Sequence, residues 1–112
     1  MSVDIALQTA AASVGLPASP NRYTGDALEY ITTNYEILPA VYADRAPRAA
    51  RYIVQVHYYR PHGENPNATI RQLSRALWSQ GCTWPSVVNA SDEEGQHYVL
   101  ECEFADGGGF YG

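Results

Sequence analysis

Two segments of the chain alternate apolar and polar residues with the period of a β-strand. Residues 51–59 are rich in β-branched and aromatic side chains, which favours a strand. Successive side chains of a strand point to opposite faces of the sheet. The face that we expect to be buried carries Tyr52, Val54, Val56 and Tyr58. The opposite, mixed face carries Ile53, Gln55, His57 and Tyr59, and we expect it to contact solvent or a partner.

The second such segment, residues 96–104, has the cleanest alternation in the chain. Its inward side is predicted to carry Tyr98, Leu100, Cys102 and Phe104. Its outward side is predicted to carry His97, Val99, Glu101 and Glu103. Residues 28–41 and 84–88 predict two further strands with less regular patterns. Pro39 cannot donate a hydrogen bond to a neighbouring strand, so it predicts an edge position or the end of a strand.

Helical spacing appears in two other segments. Apolar residues recur at this spacing over 3–14, with Ser2 as a candidate N-cap and Gly15 just after the end. The pattern over 66–80 predicts a second helix, whose N-terminal signal is Asn65 followed by proline. The apolar stripe of this second helix is predicted to comprise Ile70, Leu73, Leu77 and Trp78.

These elements predict a single α+β domain over residues 1–106, with the order α-β-β-α-β-β. We expect a mainly antiparallel four-stranded sheet with the helices packed on one face. The proline-containing segment 16–21 is predicted to be a loop. Residues 43–51 are predicted to form an exposed loop between two strands, and residues 107–112 a flexible glycine-rich tail.

Charge and composition exclude some classes of function. The formal net charge of −5 disfavours nonspecific binding of nucleic acid through overall charge. No stretch approaches the ~18 apolar residues of a membrane span, and the N-terminus lacks the pattern of a signal peptide. Cys82 and Cys102 are the only cysteines, and reduced thiols are the default expectation in a cytosolic protein.

The candidate catalytic or metal-binding residues lie on the mixed faces of the predicted strands. If their strands are neighbours, His57 and His97 could meet, together with Glu101, to bind a metal or move protons. This defines an alternative function, a small ligand-binding or enzymatic domain that uses the His57/His97 face. No short His-x-His or Cys-x-x-Cys spacing supports it. Cys102 points inward and is flanked by glutamates, unlike a nucleophilic cysteine. We therefore predict no enzyme, no cofactor and no metal.

Tyrosine is the most abundant aromatic residue, with nine copies against two phenylalanines. Tyrosine joins apolar area to a polar tip and is enriched at protein–protein interfaces. Tyr35 and Tyr59 lie on mixed faces, so they are candidate interface residues. Ordinary strand propensity of tyrosine explains the same pattern, and both interpretations stand at this point.

From about residue 16 to 107 the chain resembles the tail-terminator or tail-completion proteins of long-tailed phages, also described as minor capsid or head–tail joining proteins. The segments that carry the likeness are Tyr30–Tyr35, Ala43-Asp44 with Pro47, Tyr52–Tyr59, Ala76–Gly81 and Gln96–Phe104. The resemblance implies an antiparallel sheet backed by helices, and rings, commonly hexameric, that cap the tail tube and offer a docking face to the head connector.

Several expectations follow from this likeness. The partners would be further copies of the chain, the tail-tube protein and the connector or stopper proteins of the head, with passive contact to DNA in the lumen and none to membranes. The protein would be made in the bacterial host cytoplasm and reside in the neck or tail of the virion. A tail-tube protein or another neck component of the same virion is an alternative assignment within this likeness. Candidate interface residues are Tyr35, Asp44, Arg45, Arg48, Arg51, His57, Tyr59, Glu101 and Glu103.

Overall fold

A computed structural model describes residues 2–43 and 46–106 of the chain, including all side chains except those of residues 39–43, 46–50 and 106. Two helices and five strands follow one another in the order α-β-β-β-α-β-β. The helices are α1 (Val3–Val14) and α2 (Asn67–Ser79). The strands are β1 (Ala18–Pro20), β2 (Tyr30–Ala43), β3 (Ala46–Arg60), β4 (Ser86–Asn89) and β5 (Gln96–Asp106). The predicted α+β class is thereby confirmed.

The five strands form one sheet in the spatial order β1-β2-β3-β5-β4. All neighbouring pairs are antiparallel except β1 and β2, which are parallel. The prediction of four strands was wrong because β1 lies in the segment 16–21, whose two prolines and Asn21 are typical of a loop. Its backbone still pairs, since the N–H of Ile31 donates to the Pro17 carbonyl oxygen and that of Asn21 to the Thr33 carbonyl oxygen, each over 2.8 Å.

The core lies between the two helices and one face of this sheet, which we call the covered face. Alternate residues of β3 and β5 point into it, as their pattern predicts: Tyr52, Val54, Val56, Tyr58, Leu100, Cys102 and Phe104 are all buried. From the helices, Leu7, Leu73 and Leu77 join the same cluster. The opposite face of the sheet, which we call the open face, holds none of the buried core residues except Thr32 at its margin.

Local signals explain the ends of both helices. The Ser2 side chain accepts a hydrogen bond from the Ile5 N–H, and Gly15 ends α1 in the left-handed conformation with φ of 74°. At α2 the Asn65 side chain accepts from the N–H of Asn67 over 2.9 Å. One predicted stripe member was wrong: Trp78 is 61% exposed, because it lies at the solvent side of the last turn.

The largest difference from the sequence prediction is at residues 43–51. The described residues of this segment, Ala43 and 46–51, are strand and not loop. Strand β2 continues to Ala43 and β3 begins at Ala46, so that the two strands pair from Tyr30↔Tyr59 to Ala43↔Ala46. Pro39 does not end β2, since β1 pairs only with residues 31–33 and leaves the outer edge of β2 free at that point. Shifts in register follow Pro39 and Val41.

This long hairpin makes the molecule elongated, with extents of 54 × 25 × 22 Å. The radius of gyration is 15.0 Å, whereas a compact chain of this length has about 13 Å. Asp44 and Arg45, two of the predicted interface residues, and the predicted tail over residues 107–112 lie outside the described residues.

Candidate functional site

The open face presents two parallel rows of side chains that run across strands β2, β3 and β5. An aromatic row joins Tyr30, Tyr59 and His97, which are direct cross-strand partners in the register of the sheet. A polar row joins Asn34, Gln55 and Glu101, which are also direct partners. Residues four apart on one strand point to the same face, so the register places both rows on the side without helices.

The rings of the aromatic row are stacked. The centroids of Tyr30 and Tyr59 lie 4.8 Å apart, and those of Tyr59 and His97 lie 4.2 Å apart. Tyr23, from the segment that leads to β2, extends the stack on Tyr30 at 4.4 Å. Each aromatic pair of this kind contributes about 0.5–1.5 kcal/mol beyond the area it buries. The row is therefore a rigid strip rather than a set of independent side chains.

His57 lies between the two rows and connects them by hydrogen bonds. Its Nε2 is 2.8 Å from Oδ1 of Asn34, and its Nδ1 is 2.9 Å from Nε2 of His97. Asn34 Nδ2 donates to Oε1 of Gln55 over 3.3 Å, and Gln55 Nε2 donates to Glu101 over 3.2 Å. Five side chains on three strands thus form one continuous chain of hydrogen bonds.

The charge of Glu101 determines the direction of every bond in this chain. An ionised carboxylate only accepts, so Gln55 donates to it and accepts from Asn34. The remaining oxygen of Asn34 is an acceptor, which requires a proton on Nε2 of His57. Neutral His57 then accepts at Nδ1, so His97 donates from Nε2. The network therefore assigns one tautomer to each imidazole.

Both imidazoles favour the neutral form. Burial lowers the pKa of His57 below its usual 6.5, and the neighbouring His97 lowers it further. Burial also lowers the pKa of His97, although the carboxylate of Asp92 acts in the opposite direction. A second proton on His57 would make Nδ1 of His57 the donor, and His97 would have to move its own proton from Nε2 to Nδ1 to accept it. The lowered pKa values of both rings favour the neutral pair, in which His97 is the donor.

A cleft of about 370 Å³ lies at the end of the sheet beside the aromatic row, and we call it the aromatic cleft. The rings of Tyr30, Tyr59 and His97 line it, together with Leu28, Arg60, Asp92 and Glu94. Leu28 is 77% exposed there. The two acidic residues come from the turn between β4 and β5, where the N–H of Glu94 donates to the Asp92 carboxylate over 2.9 Å. The cleft thus combines aromatic edges with negative charge.

Arg60, the basic residue that lines the cleft, forms its ion pairs with Glu29 and Glu64 and not with either of these carboxylates. It lies on the covered side, where its guanidinium donates to Glu64 over 3.1 Å and to the hydroxyl of Tyr58 over 3.3 Å. A carboxylate oxygen of Glu29 lies 3.9 Å from the same group. Among the described residues, neither Asp92 nor Glu94 forms an ion pair.

The other end of the open face carries opposite charges in contact. Nε of Arg51 is 2.9 Å from a carboxylate oxygen of Glu103, and both side chains are about half exposed. A second cleft of about 410 Å³ lies beside this pair and is lined also by Ile53, Trp84 and Glu101. An exposed pair of this kind contributes little stability, about 0–1 kcal/mol, so both charges remain accessible to a partner.

The structure distributes the candidate interface residues over several places. It brings His57, Tyr59 and Glu101 together on the open face, with Arg51 and Glu103 farther along. Tyr35 instead lies on the covered face, where its ring packs edge-on against Tyr52 and its hydroxyl donates to Asp4 over 3.1 Å. Arg48 lies near the start of β3, in the part of the chain without described side chains.

The predicted meeting of His57 with His97 is confirmed, but Glu101 reaches them only through Gln55 and Asn34. Sequence reasoning missed Asn34 and Tyr30 as members of the site. Their strand had an ambiguous pattern, and only the pairing Tyr30↔Tyr59 and Asn34↔Gln55 reveals their position. Within residues 2–43 and 46–106, no three side chains of histidine, cysteine, aspartate or glutamate converge as metal ligands would.

Two further observations bear on the kind of protein. Across the described ranges, none of the helices combines the length and apolarity needed to cross a lipid bilayer. No family model matches the chain, and no curated protein matches it.

Proposed function

We propose that this protein is a structural subunit of a phage or prophage neck or tail, which forms an oligomeric ring that terminates the tail tube and joins it to the head connector. The observation that carries the proposal is the extension of the β2–β3 hairpin beyond the core. We call residues 37–51 of this hairpin the arm. The resemblance of the sequence to tail-terminator proteins supports the same assignment.

The arm extends past the part of the sheet that contributes to the core, whose last residues in this direction are Tyr52 and Phe104. Among the described residues, strand β5 pairs with β3 as far as Ala50↔Asp106, and β2 has no neighbour on its other side beyond Thr33. Ile37, at the base of the arm, is 52% exposed. A two-stranded hairpin without further packing is marginally stable in water. A partner that covers the arm would supply that packing.

Composition supports the same role for the arm. Residues 37–43 contain no charged side chain, and the whole arm contains three arginines and one aspartate among mostly apolar residues. A largely apolar segment with a few arginines is the composition expected of a site of protein association. The arm is therefore suited to lie against another subunit.

The sheet also offers a free edge at β4. Its outer side has no strand partner in the part of the chain that the structure describes, and Trp84, Val87 and Val88 are exposed. Residues 84–90 carry no charge, although charged residues commonly protect such an edge from pairing with another chain. An arm at one side and an unprotected edge at the other allow unlike surfaces of successive copies to meet, and such head-to-tail contacts close into rings.

The first experiment measures mass by light scattering over a range of protein concentrations and images the same samples in negative stain. We expect a ring with a central hole. A variant that replaces residues 40–49 with Asn-Gly joins the paired residues Pro39 and Ala50 through a two-residue turn and removes most of the arm. This variant should keep its circular dichroism spectrum and lose the ring.

A matched control substitutes Arg71, which is exposed on α2 far along the chain from the arm, with glutamate. The control should assemble like the wild type. A wild-type protein that remains a monomer at every concentration, or an arm-deleted variant that still forms rings, would overturn the proposal.

The alternative function, a ligand-binding or enzymatic domain, is favoured by one observation, the 2.9 Å contact between His57 and His97. Two neutral imidazoles in contact can bind a divalent metal such as zinc. Thermal melting with and without zinc tests this alternative, since a ligand that binds the native state raises the melting temperature. A rise that the His97→Gln substitution removes would support it, and an unchanged melting temperature would exclude it.

A further inference from the structure

The aromatic cleft has the chemistry of a site for a cationic side chain. The edges and faces of Tyr30, Tyr59 and His97 form its aromatic side, and Asp92 and Glu94 supply negative charge. Guanidinium and ammonium groups are attracted to aromatic rings, and arginine makes such contacts more often than lysine. A cleft of about 370 Å³ has room for one long side chain and the backbone that carries it.

The carboxylates of the cleft influence the pKa values of two of its aromatic residues. The carboxylate of Asp92 opposes the lowering of the pKa of His97. The pKa of Tyr30 is raised, first by burial, then by Tyr59 and Tyr23, and also by the carboxylate of Glu94. Both carboxylates line the same cleft as these rings, so one bound cation can contact both, and Arg60, which also lines the cleft, pairs instead with Glu64 and Glu29.

The chain contains its own candidate occupant. Arginines stand at positions 45, 48 and 51 of the arm, which is three of the seven in a chain of net charge −5. Arg51 is already paired with Glu103. The arm therefore concentrates positive charge in an acidic protein, and the aromatic cleft is the acidic feature at the opposite end of the same hairpin.

The occupant cannot come from the same copy. The cleft adjoins Tyr30, the first residue of β2, and the half of the arm that β2 contributes ends at Ala43. Thirteen residue steps of extended strand separate these two residues by about 43 Å. Because β2 pairs with β3 along this length, the tip of the arm cannot reach the cleft of its own copy without breaking that pairing, so an arm that enters the cleft belongs to another copy.

We propose that the aromatic cleft binds an arginine from the arm of a second copy of this chain, with Arg48 and Arg45 as the candidates. This inference rests on the proposed ring and specifies one of its contacts. The cleft and the arm are different surfaces at opposite ends of the hairpin, so the contact is head-to-tail and each copy uses both surfaces at once.

Light scattering tests the contact in variants whose charges are reversed in the cleft, in the arm, or in both together. Substitution of both Asp92 and Glu94 by arginine should weaken assembly at least tenfold, and substitution of both Arg45 and Arg48 by glutamate should do the same. Combined in one chain, the four substitutions restore opposite charges across the contact and should recover most of the lost assembly. Circular dichroism and melting of each variant verify that it remains folded.

Two matched controls separate this contact from general charge effects. Glu93 stands between the two acidic residues but does not line the cleft, so Glu93→Arg should assemble like the wild type. Arg75→Glu, exposed on α2, is the control for the arm. If the wild type forms rings that the reversals at positions 92 and 94 leave intact, the inference fails while the proposed function stands. If the wild type forms no ring, both fail.

Discussion

Nδ1 of His57 lies 2.9 Å from Nε2 of His97, so a single hydrogen bond joins the two imidazoles. When both rings are neutral, the rest of the chain of hydrogen bonds makes His97 the donor. The assignment begins at the carboxylate of Glu101 and passes through Gln55 and Asn34. The tautomer of His57 therefore depends on the carboxylate of Glu101, although two other side chains lie between them.

This relationship predicts the direction of the pH dependence of stability. The folded-state pKa of both imidazoles lies below the usual 6.5, so the unfolded chain binds more protons in that range. The corresponding stability is complete above pH 6.5 and is lost as the pH falls through the lowered pKa values. Melting temperatures of wild type should decline below this pH more steeply than those of a His57→Gln, His97→Gln double variant.

The His62→Gln variant is the control, because His62 is exposed and bonds only to the backbone oxygen of Asp92. It should reproduce the wild-type pH dependence. Equal slopes for wild type and the double variant would contradict the neutral pair.

Asn34→Asp should raise the pKa of His57. The aspartate keeps an oxygen within reach of Nε2 of His57, but its negative charge favours the imidazolium. It also removes the amide that donates to Gln55. NMR titration of the imidazole signals measures the effect, with Asn89→Asp, on exposed β4, as the matched control. An unchanged titration of His57 would show that the contact with Asn34 is absent in solution.

Leu77→Ala should lower the free energy of unfolding by about 2–5 kcal/mol, since it removes a buried side chain and leaves a cavity. Leu77 is 1% exposed and belongs to the core cluster. The adjacent residue provides the control: Trp78 is 61% exposed, so Trp78→Ala should change stability by no more than about 0.5 kcal/mol. Denaturant titration measures both, and a reversed order would contradict the orientation of α2.

Gly15→Ala should destabilise α1 by about 1 kcal/mol, because a Cβ is disfavoured in the left-handed conformation. Gly15 has φ of 74° and no atom close enough to clash with an added Cβ, so the cost is purely conformational. Gly15→Asn should cost less, because asparagine tolerates this conformation. Thermal melting distinguishes the two, and equal losses would argue for a steric cause.

The thiols of Cys82 and Cys102 should react slowly with an alkylating reagent in the native protein. Both are free and buried. The hydrogen bond between them raises the pKa of the Cys102 thiol, as burial also does, and lowers the pKa of the Cys82 thiol. The reactive species is the thiolate, which is scarce at Cys102 and inaccessible at both positions. Mass spectrometry of timed samples should show labelling that accelerates sharply in denaturant. Rapid labelling of the native protein would contradict the buried position.

The pattern of residues close together in the chain was sufficient to predict much of the fold. The alternation in β3 and β5 correctly predicted which side chains enter the core, because burial on one face requires a period of two. Helix α1 was predicted at its observed bounds, because Ser2 and Gly15 satisfy the two ends by short-range bonds. Strand β1 and the continuation of the hairpin past Pro39 were missed, because each depends on a neighbouring strand rather than on its own residues.

The amino-acid sequence by itself therefore determined the helices, the two regular strands and the side of each strand that is buried, since these follow from interactions between residues close in the chain. Only the tertiary structure decided that Tyr30 stacks beside Tyr59, that Asn34 orients His57, and that Tyr35 lies on the covered face instead of beside them. The physical reason is register: a shift of one residue between strands would exchange the two faces of the sheet, and register is set by the whole set of paired strands.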